Sequence, residues 1–288
     1  MQVIHKIEKM QRTSSEYFMN GKTIGFVPTM GYLHEGHLQL IKEARKQNDI
    51  VILSIFVNPL QFGAGEDLDT YPRDEERDMQ LAEENGVDVV FLPSRDTMYP
   101  QPLSLSISVD KRADVLCGRS RPGHFEGVVT VLTKLFNICQ PTKAYFGLKD
   151  AQQLAVVDAL IQDFNFPIEL VGVATIREND GLAKSSRNVR LSQQERKEAP
   201  FIQKALKKGN GMVADGTKNP AQIVKETKKF LESQTHGRID YVELLSYPEL
   251  EPVKEIDRQV ILAAAVNYQQ ARLIDNVIFD ETGTISQG

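Results

Sequence analysis

The 288-residue chain carries two cysteines, Cys117 and Cys139, and no Cys-x-x-Cys pair. That excludes a disulfide framework and gives no sign of a zinc site. Cys139 ends an apolar stretch and reads as a small packed hydrophobe. Long hydrophobic runs are missing too: none approaches the roughly 18 apolar residues of a membrane span. Met1-Gln2-Val3-Ile4-His5-Lys6 meets charge at once, with no apolar leader region. A soluble, cytoplasmic protein without a membrane partner is therefore expected. Positive charge is in deficit, with 34 Lys and Arg against 39 Asp and Glu and a formal net charge of −5. A nucleic-acid-binding surface is disfavoured, but a local basic pocket for a small anion is not. Finally, no Gly-x-Gly-x-x-Gly follows any strand-like run, so the dinucleotide fingerprint is absent.

What is present is ordinary globular composition, 41% hydrophobic and 25% charged, enough for one large domain or two smaller ones. The spacing predicts helices over 4–20, from about 36 to 46, over 74–85, 127–139 and 151–163. Strands are expected over 23–27, 50–57, 87–92, 144–147 and 168–173, with 103–109 as a candidate extra one. Residues 50–57 are almost continuously apolar and read as a parallel strand buried on both faces. Strand alternating with helix predicts a doubly wound α/β fold over 1–175. After Thr175 the pattern changes. A capping box at Ser192-Gln193-Gln194-Glu195 opens a helix to about 208, a glycine-rich linker is expected over 209–216, and Asn219-Pro220 starts a helix to about 234. Strands over 239–245, 260–266 and 272–278 then complete a smaller α+β domain, 176–288.

Three of the predicted parallel strands run into polar, glycine-bearing loops, at Thr29, Asn58 and Gly147. In doubly wound sheets such carboxyl ends line the ligand crevice. The first loop carries His34-Glu35-Gly36-His37. Two imidazoles at a helix N-terminus can donate to phosphate oxygens and stabilise charge that builds during attack on phosphorus. Alternatives are a tight turn with two surface histidines, or metal ligation, for which no nearby acidic cluster completes a site. Asp150 reads either as the N-cap of the helix at Ala151 or, with Lys149, as part of an anion site. Lys184-Ser185-Ser186-Arg187 is either a solvated interdomain loop or a mobile lid that clamps phosphates. Gln61 and Gln153 suit the hydroxyls or carboxylate of a small polar substrate. Arg119, Arg121 and His124 form a basic loop with no role assignable from sequence.

Pro28-Thr29-Met30-Gly31-Tyr32-Leu33-His34-Glu35-Gly36-His37, Phe56-Val57-Asn58-Pro59-Leu60-Gln61-Phe62-Gly63, Tyr145-Phe146-Gly147-Leu148-Lys149-Asp150-Ala151-Gln152-Gln153 and Asp180-Gly181-Leu182-Ala183-Lys184-Ser185-Ser186-Arg187-Asn188 together resemble the pantothenate synthetase family in order and spacing. The short His-x-Gly-His alone indicates the wider nucleotidyltransferase superfamily. The resemblance implies ligation of pantoate and β-alanine to pantothenate, driven by ATP through pantoyl adenylate, with release of AMP and pyrophosphate. It implies a Rossmann-like N-terminal domain with a small C-terminal lid domain, Mg²⁺ and a cytoplasmic homodimer. It places Met30, Gly31, Tyr32, Leu33, His34, Glu35, Gly36 and His37 on ATP, with His34 and His37 on the phosphates and His37 as the family's proton donor. Gly147, Leu148, Lys149, Asp150, Ile176, Lys184, Ser185, Ser186 and Arg187 complete the ATP set, with Lys149 catalytic beside the histidines. Gln61 and Gln153 would bind pantoate, and Gln61 also lies toward β-alanine. No Mg²⁺ ligand is assignable. The family often has Met where this chain has Lys184, a cation expected to find phosphate or solvent. Two other functions compete: nucleotidyl transfer to a phosphorylated acceptor, and a nucleotide-binding module without catalysis. The two glutamines argue against the first, and the complete motif set argues against the second.

Overall fold

The computed structural model describes residues 1–63, 65–66 and 68–286. The chain forms β1 (Gln2–Ile4), α1 (Ile7–Met19), β2 (Ile24–Thr29), α2 (Glu35–Gln47), β3 (Ile50–Ile55), α3 (Glu75–Glu84), β4 (Val89–Phe91), α4 (Arg95–Met98), α5 (Leu116–Ser120), α6 (His124–Cys139), β5 (Lys143–Gly147), α7 (Ala151–Asp163) and β6 (Glu169–Val173). It continues with α8 (Gln193–Glu198), α9 (Phe201–Ala214), α10 (Pro220–Glu232), β7 (Arg238–Ser246), β8 (Val260–Asn267) and β9 (Arg272–Phe279). Two compact units result. The first comprises Met1–Asp110, Ser120–Gly147 and Val156–Val173; the second comprises Lys111–Arg119, Leu148–Ala155 and Ala174–Gly288.

The first unit is built on a parallel sheet of order β1-β4-β3-β2-β5-β6. From β2 the chain steps outward through β3 and β4, then returns to lay β5 and β6 on the other side. The switch point therefore lies between β2 and β5, where such sheets open their ligand crevice. The apolar run of β3 sits between β2 and β4, with Val51, Ile52 and Leu53 fully buried. Each such side chain contributes about 1.5–3 kcal/mol on burial. On one side of the sheet Val27, Leu33, Ile41, Ala44, Val51, Leu53, Ala82 and Val90 form a single core. Residues 103–109, whose weak alternation suggested a strand, are irregular, and Leu105 is 86% exposed. Ile4 belongs to a short strand rather than to the first helix.

The second unit holds the antiparallel sheet β7-β8-β9. Its central strand is buried on both faces. Val260, Leu262, Ala264 and Val266 join a core with Ile202, Leu206 and Ile223, from α9 and α10. Ile261 and Ala263 pack with Leu116, Ala151 and Ala155. That second face explains why 111–119 and 148–155 group with the C-terminal residues. Two expectations are corrected here. The helix from Ser192 does not run unbroken to 208: it splits at Pro200, which has no N–H for the i→i−4 bond. The expected linker over 209–216 is mostly helix, since α9 continues through Gly209 and Gly211 to Ala214. A Cβ at Gly209 would lie 2.4 Å from Thr227 Oγ1 and 2.6 Å from Leu262 Cδ2. The glycine marks a close approach of α9 to α10 and β8, not a flexible joint. Both cysteines are buried and unbonded to one another.

Candidate active site

The turn leaving β2 is shaped by four fixed points. Thr29 Oγ1 donates to the Ser54 carbonyl at 2.8 Å and accepts the Gly31 N–H at 3.2 Å. Gly31 and Tyr32 both take left-handed backbone, φ +81° and +53°. At Gly31 a Cβ would stand 3.0 Å from both Asp78 Oδ2 and Ile55 Cγ2, so glycine is required by conformation and by space. The Asp78 carboxylate, buried on α3, accepts the N–H of Tyr32 and of Leu33, each at 2.7 Å. Burial pushes the Asp78 carboxyl above its ordinary range, while these two N–H bonds and neighbouring Arg77 pull it back. Arg77 also donates to the Leu33 carbonyl at 2.9 Å. Leu33 thus has its side chain in the core and both main-chain groups engaged, so it sets the loop's shape.

His34 is the N-cap of α2: its Nδ1 accepts the Gly36 N–H at 3.1 Å, and His37 Nδ1 accepts the His34 N–H at 3.3 Å. The rings stack with centroids 4.1 Å apart at 29°. A Cβ on Gly36 would fall 2.9 Å from His34 Cε1, which explains the glycine between them. Because both Nδ1 atoms accept, each neutral ring carries its proton on Nε2. The pair therefore offers two Nε2–H donors at the positive end of a helix.

Gln61 closes the 3-10 turn Pro59–Gln61 after β3. Asn58, buried, donates through Nδ2 to the Gly127 carbonyl at 3.0 Å and to Gln61 Oε1 at 3.2 Å, and accepts from Tyr99 Oη at 2.9 Å. Gln61 Nε2 faces Met30 Sδ at 3.4 Å. Within the first unit, then, Met30, the histidine turn and Gln61 come from the carboxyl ends of the adjacent strands β2 and β3, and Gly147 ends β5 on the same edge.

The second unit holds the remaining candidates. A 3-10 turn, Leu148–Asp150, leads into α7; Asn276 Nδ2 donates to the carbonyls of Leu148 and Lys149, both at 2.9 Å. Lys149 Nζ stands 3.8 Å from Asp150, and Gln153 is half-buried in the first turn of α7. Beside Gln153, Gln152 is buried and stitches Cys117 N–H, Arg112 O and Val115 O together. Ile176 accepts the Lys184 N–H at 2.9 Å, tying the ends of a short hairpin whose Arg177 pairs with buried Asp275 at 2.6 and 3.0 Å. Lys184 Nζ lies 3.2 Å from Glu178. The loop cation has thus found an anion within its own hairpin. Ser185 caps the 3-10 turn Ser186–Arg190 through the Arg187 N–H at 3.3 Å.

Sequence reasoning missed Asp78, and it left the basic loop unplaced. The structure places Arg121 and His124 against Gln61 and Glu66, and Arg119 on Glu243 at 3.0 Å. No composition or spacing signal marks Asp78, since α3 reads as an ordinary charged helix.

A parallel sheet with its switch point beside a histidine-capped helix defines a Rossmann-like α/β enzyme whose first turn is built to hold an anion. Residues 2–278 match the Pantoate-beta-alanine ligase family. A pantothenate synthetase of Geobacillus sp. strain WCH70 is 60% identical over 97% of this chain and 99% of its own. That of Bacillus subtilis strain 168 is 58% identical over 97% and 98%. Among solved structures, a pantothenate synthetase from Thermus thermophilus superposes with a TM-score of 0.90 at 41% identity, covering 96% of this chain and 99% of that one. A Francisella tularensis pantoate-beta-alanine ligase, complexed with beta-gamma ATP and beta-alanine, gives 0.78 at 33% identity, with 98% of each chain covered. The chain belongs to the pantoate–β-alanine ligase family.

Proposed function

We propose that the chain makes pantothenate by adenylating pantoate with ATP and then transferring the pantoyl group to β-alanine. A pantoate carboxylate oxygen attacks the α-phosphorus; the bond to pyrophosphate breaks as the new P–O bond forms. The β-alanine amine then attacks the acyl carbon, and AMP leaves with the electron pair of the C–O bond. The first step needs positioning and charge neutralisation more than a strong base. The observation that carries this reading is the histidine pair with both Nδ1 atoms spent on backbone N–H groups. Its Nε2–H donors suit the phosphates, and such donors stabilise charge without either ring releasing a proton. The complex of the Francisella relative with an ATP form and β-alanine supports the substrates.

In this reading Lys149 and the Lys184, Ser185, Ser186 and Arg187 segment of the second unit serve the phosphates, Ile176 serves the adenine, and Gln153, like Gln61, serves the pantoate. Mg²⁺ fits this donor set. Among the described residues no group of three or more His, Cys, Asp or Glu could hold a metal by itself. That suits an ion bound through phosphates and one or two carboxylates. Asp150, half-exposed in the ATP segment, is the carboxylate the chain would offer. The ion would supply further neutralisation of phosphate charge. A homodimer in the cytoplasm is the assembly and place implied by the family. Among the described residues no helix is long and apolar enough to cross a membrane. Exchange of labelled pyrophosphate into ATP is the test: it should require pantoate, and AMP should appear on adding β-alanine. Absence of pantoate-dependent exchange would overturn the proposal.

A further inference from the structure

The turn that carries Gln61 is fastened to one helix, α6. A Cβ at Gly127 would lie 2.3 Å from the Leu60 carbonyl oxygen and 2.6 Å from the Gln61 nitrogen, so glycine lets the turn rest directly on the helix. One turn earlier, His124 Nδ1 is 2.8 Å from the Gln61 carbonyl oxygen, and Arg121 Nη2 is 3.4 Å from the same atom. Arg121 Nη1 lies 2.9 Å from His124 Nε2. A guanidinium only donates, so Nε2 accepts, the ring proton sits on Nδ1, and Nδ1–H donates to Gln61. Glu66 takes the other edge of Arg121, accepting from Nε and Nη2 at 2.7 Å each, and also accepts the Gly63 N–H at 3.2 Å. The relay Glu66–Arg121–His124 thus begins and ends on the loop that follows β3.

The Gln61 side chain is oriented independently. Asn58 Nδ2, fixed by its bond to the Gly127 carbonyl, donates to Gln61 Oε1, which turns the amide nitrogen toward the Met30 thioether. Sulfur is a weak acceptor. A substrate oxygen at the same place is a better one, so the site favours a hydroxyl or carboxylate there.

We propose that Arg121 and His124 are positioning residues for the acid-binding step, holding the Gln61 main chain so that the side-chain Nε2–H, turned by Asn58, meets an oxygen of the hydroxy acid. The proposal rests on the assignment of Gln61 to pantoate above. It is tested by steady-state kinetics of the full-length His124→Ala, His124→Asn, Arg121→Lys and Gln61→Ala variants. His124→Ala should raise the KM for pantoate about tenfold, the scale of one lost hydrogen bond, and leave that for ATP within about twofold. His124→Asn, whose amide N–H replaces Nδ1–H, should recover most of the loss. Arg121→Lys keeps the charge but cannot bridge Glu66 and His124 together, and should also raise the pantoate KM. Equal rises for both substrates, or an Asn variant no better than Ala, would overturn the proposal. So would normal pantoate kinetics in His124→Ala beside a defective Gln61→Ala. Normal pantoate kinetics in Gln61→Ala would instead defeat the assignment of Gln61, and the proposal with it. If His124→Ala does not fold, the Asn and Lys variants decide: an unchanged pantoate KM in both refutes the relay.

Discussion

Asp78 on α3 accepts the main-chain N–H of Leu33, 45 residues upstream, at 2.7 Å. With the matching bond to Tyr32, one buried carboxylate holds two consecutive N–H groups of the turn that delivers His34. Asp78→Ala leaves both donors unsatisfied, at about 1–3 kcal/mol each. Its thermal midpoint should fall, and pantoate-dependent pyrophosphate exchange should fall with it. Asp78→Asn keeps one acceptor and should lie between. An unchanged midpoint in Asp78→Ala would show that the carboxylate does not clamp the turn.

The histidines cap a helix and, on the proposed reading, touch phosphate; one substitution separates these roles. Glutamine at N3 is a natural capping-box residue, so His37→Gln can still accept the His34 N–H. It should keep the parent's thermal midpoint within about 1 kcal/mol of stability, yet lose at least about tenfold in the adenylation rate. Near-normal adenylation would remove both the phosphate role and the proton-donor role from His37.

Lys184 and Glu178 form a partly exposed pair, worth about 1 kcal/mol or less to stability. If the ammonium also serves phosphate, Glu178 competes for it. Glu178→Gln should then lower the KM for ATP a few-fold, on the order of 1 kcal/mol of binding, and Lys184→Met should raise it. An unchanged KM in Lys184→Met would rule out the phosphate contact.

Arg121 beside Glu66 holds its carboxyl below the usual range, against the opposing effect of partial burial. A lowered folded-state value contributes stability above the unfolded value, about 4.3, and loses it as pH falls through the folded one. The parent should therefore exceed Glu66→Gln in thermal midpoint at neutral pH by a constant margin. That margin should shrink below about pH 4 as the parent's carboxylate protonates. A margin that widens on acidification would contradict the pairing.

What the sequence showed well was local. The period of β3 and α2 and the cap at Asn219 are written in adjacent residues, and the structure reproduces them. The histidine turn was legible as a motif, although its stacked, Nδ1-capped geometry was not. Partners that fold from afar left no trace: Asp78 looks like any surface acid on α3, and His124 acquires its role only through a carbonyl 63 residues away. Gly209 was misread for a related reason. Glycine signals flexibility when only neighbours in sequence are known, and close packing once α10 and β8 are in place.

The burial of both native thiols gives this chain a clean background for probes. Cys139 is wholly enclosed, with its thiol pushed far above the ordinary range, and Cys117 is only 9% exposed. Thiolate is the reactive form, so Cys139 is no target for maleimide dyes, and burial shields Cys117 from them. One cysteine placed on the surface of each unit would then carry donor and acceptor fluorophores. Adding ATP, pantoate and β-alanine to such a pair would report, molecule by molecule, how the distance between the units responds to turnover.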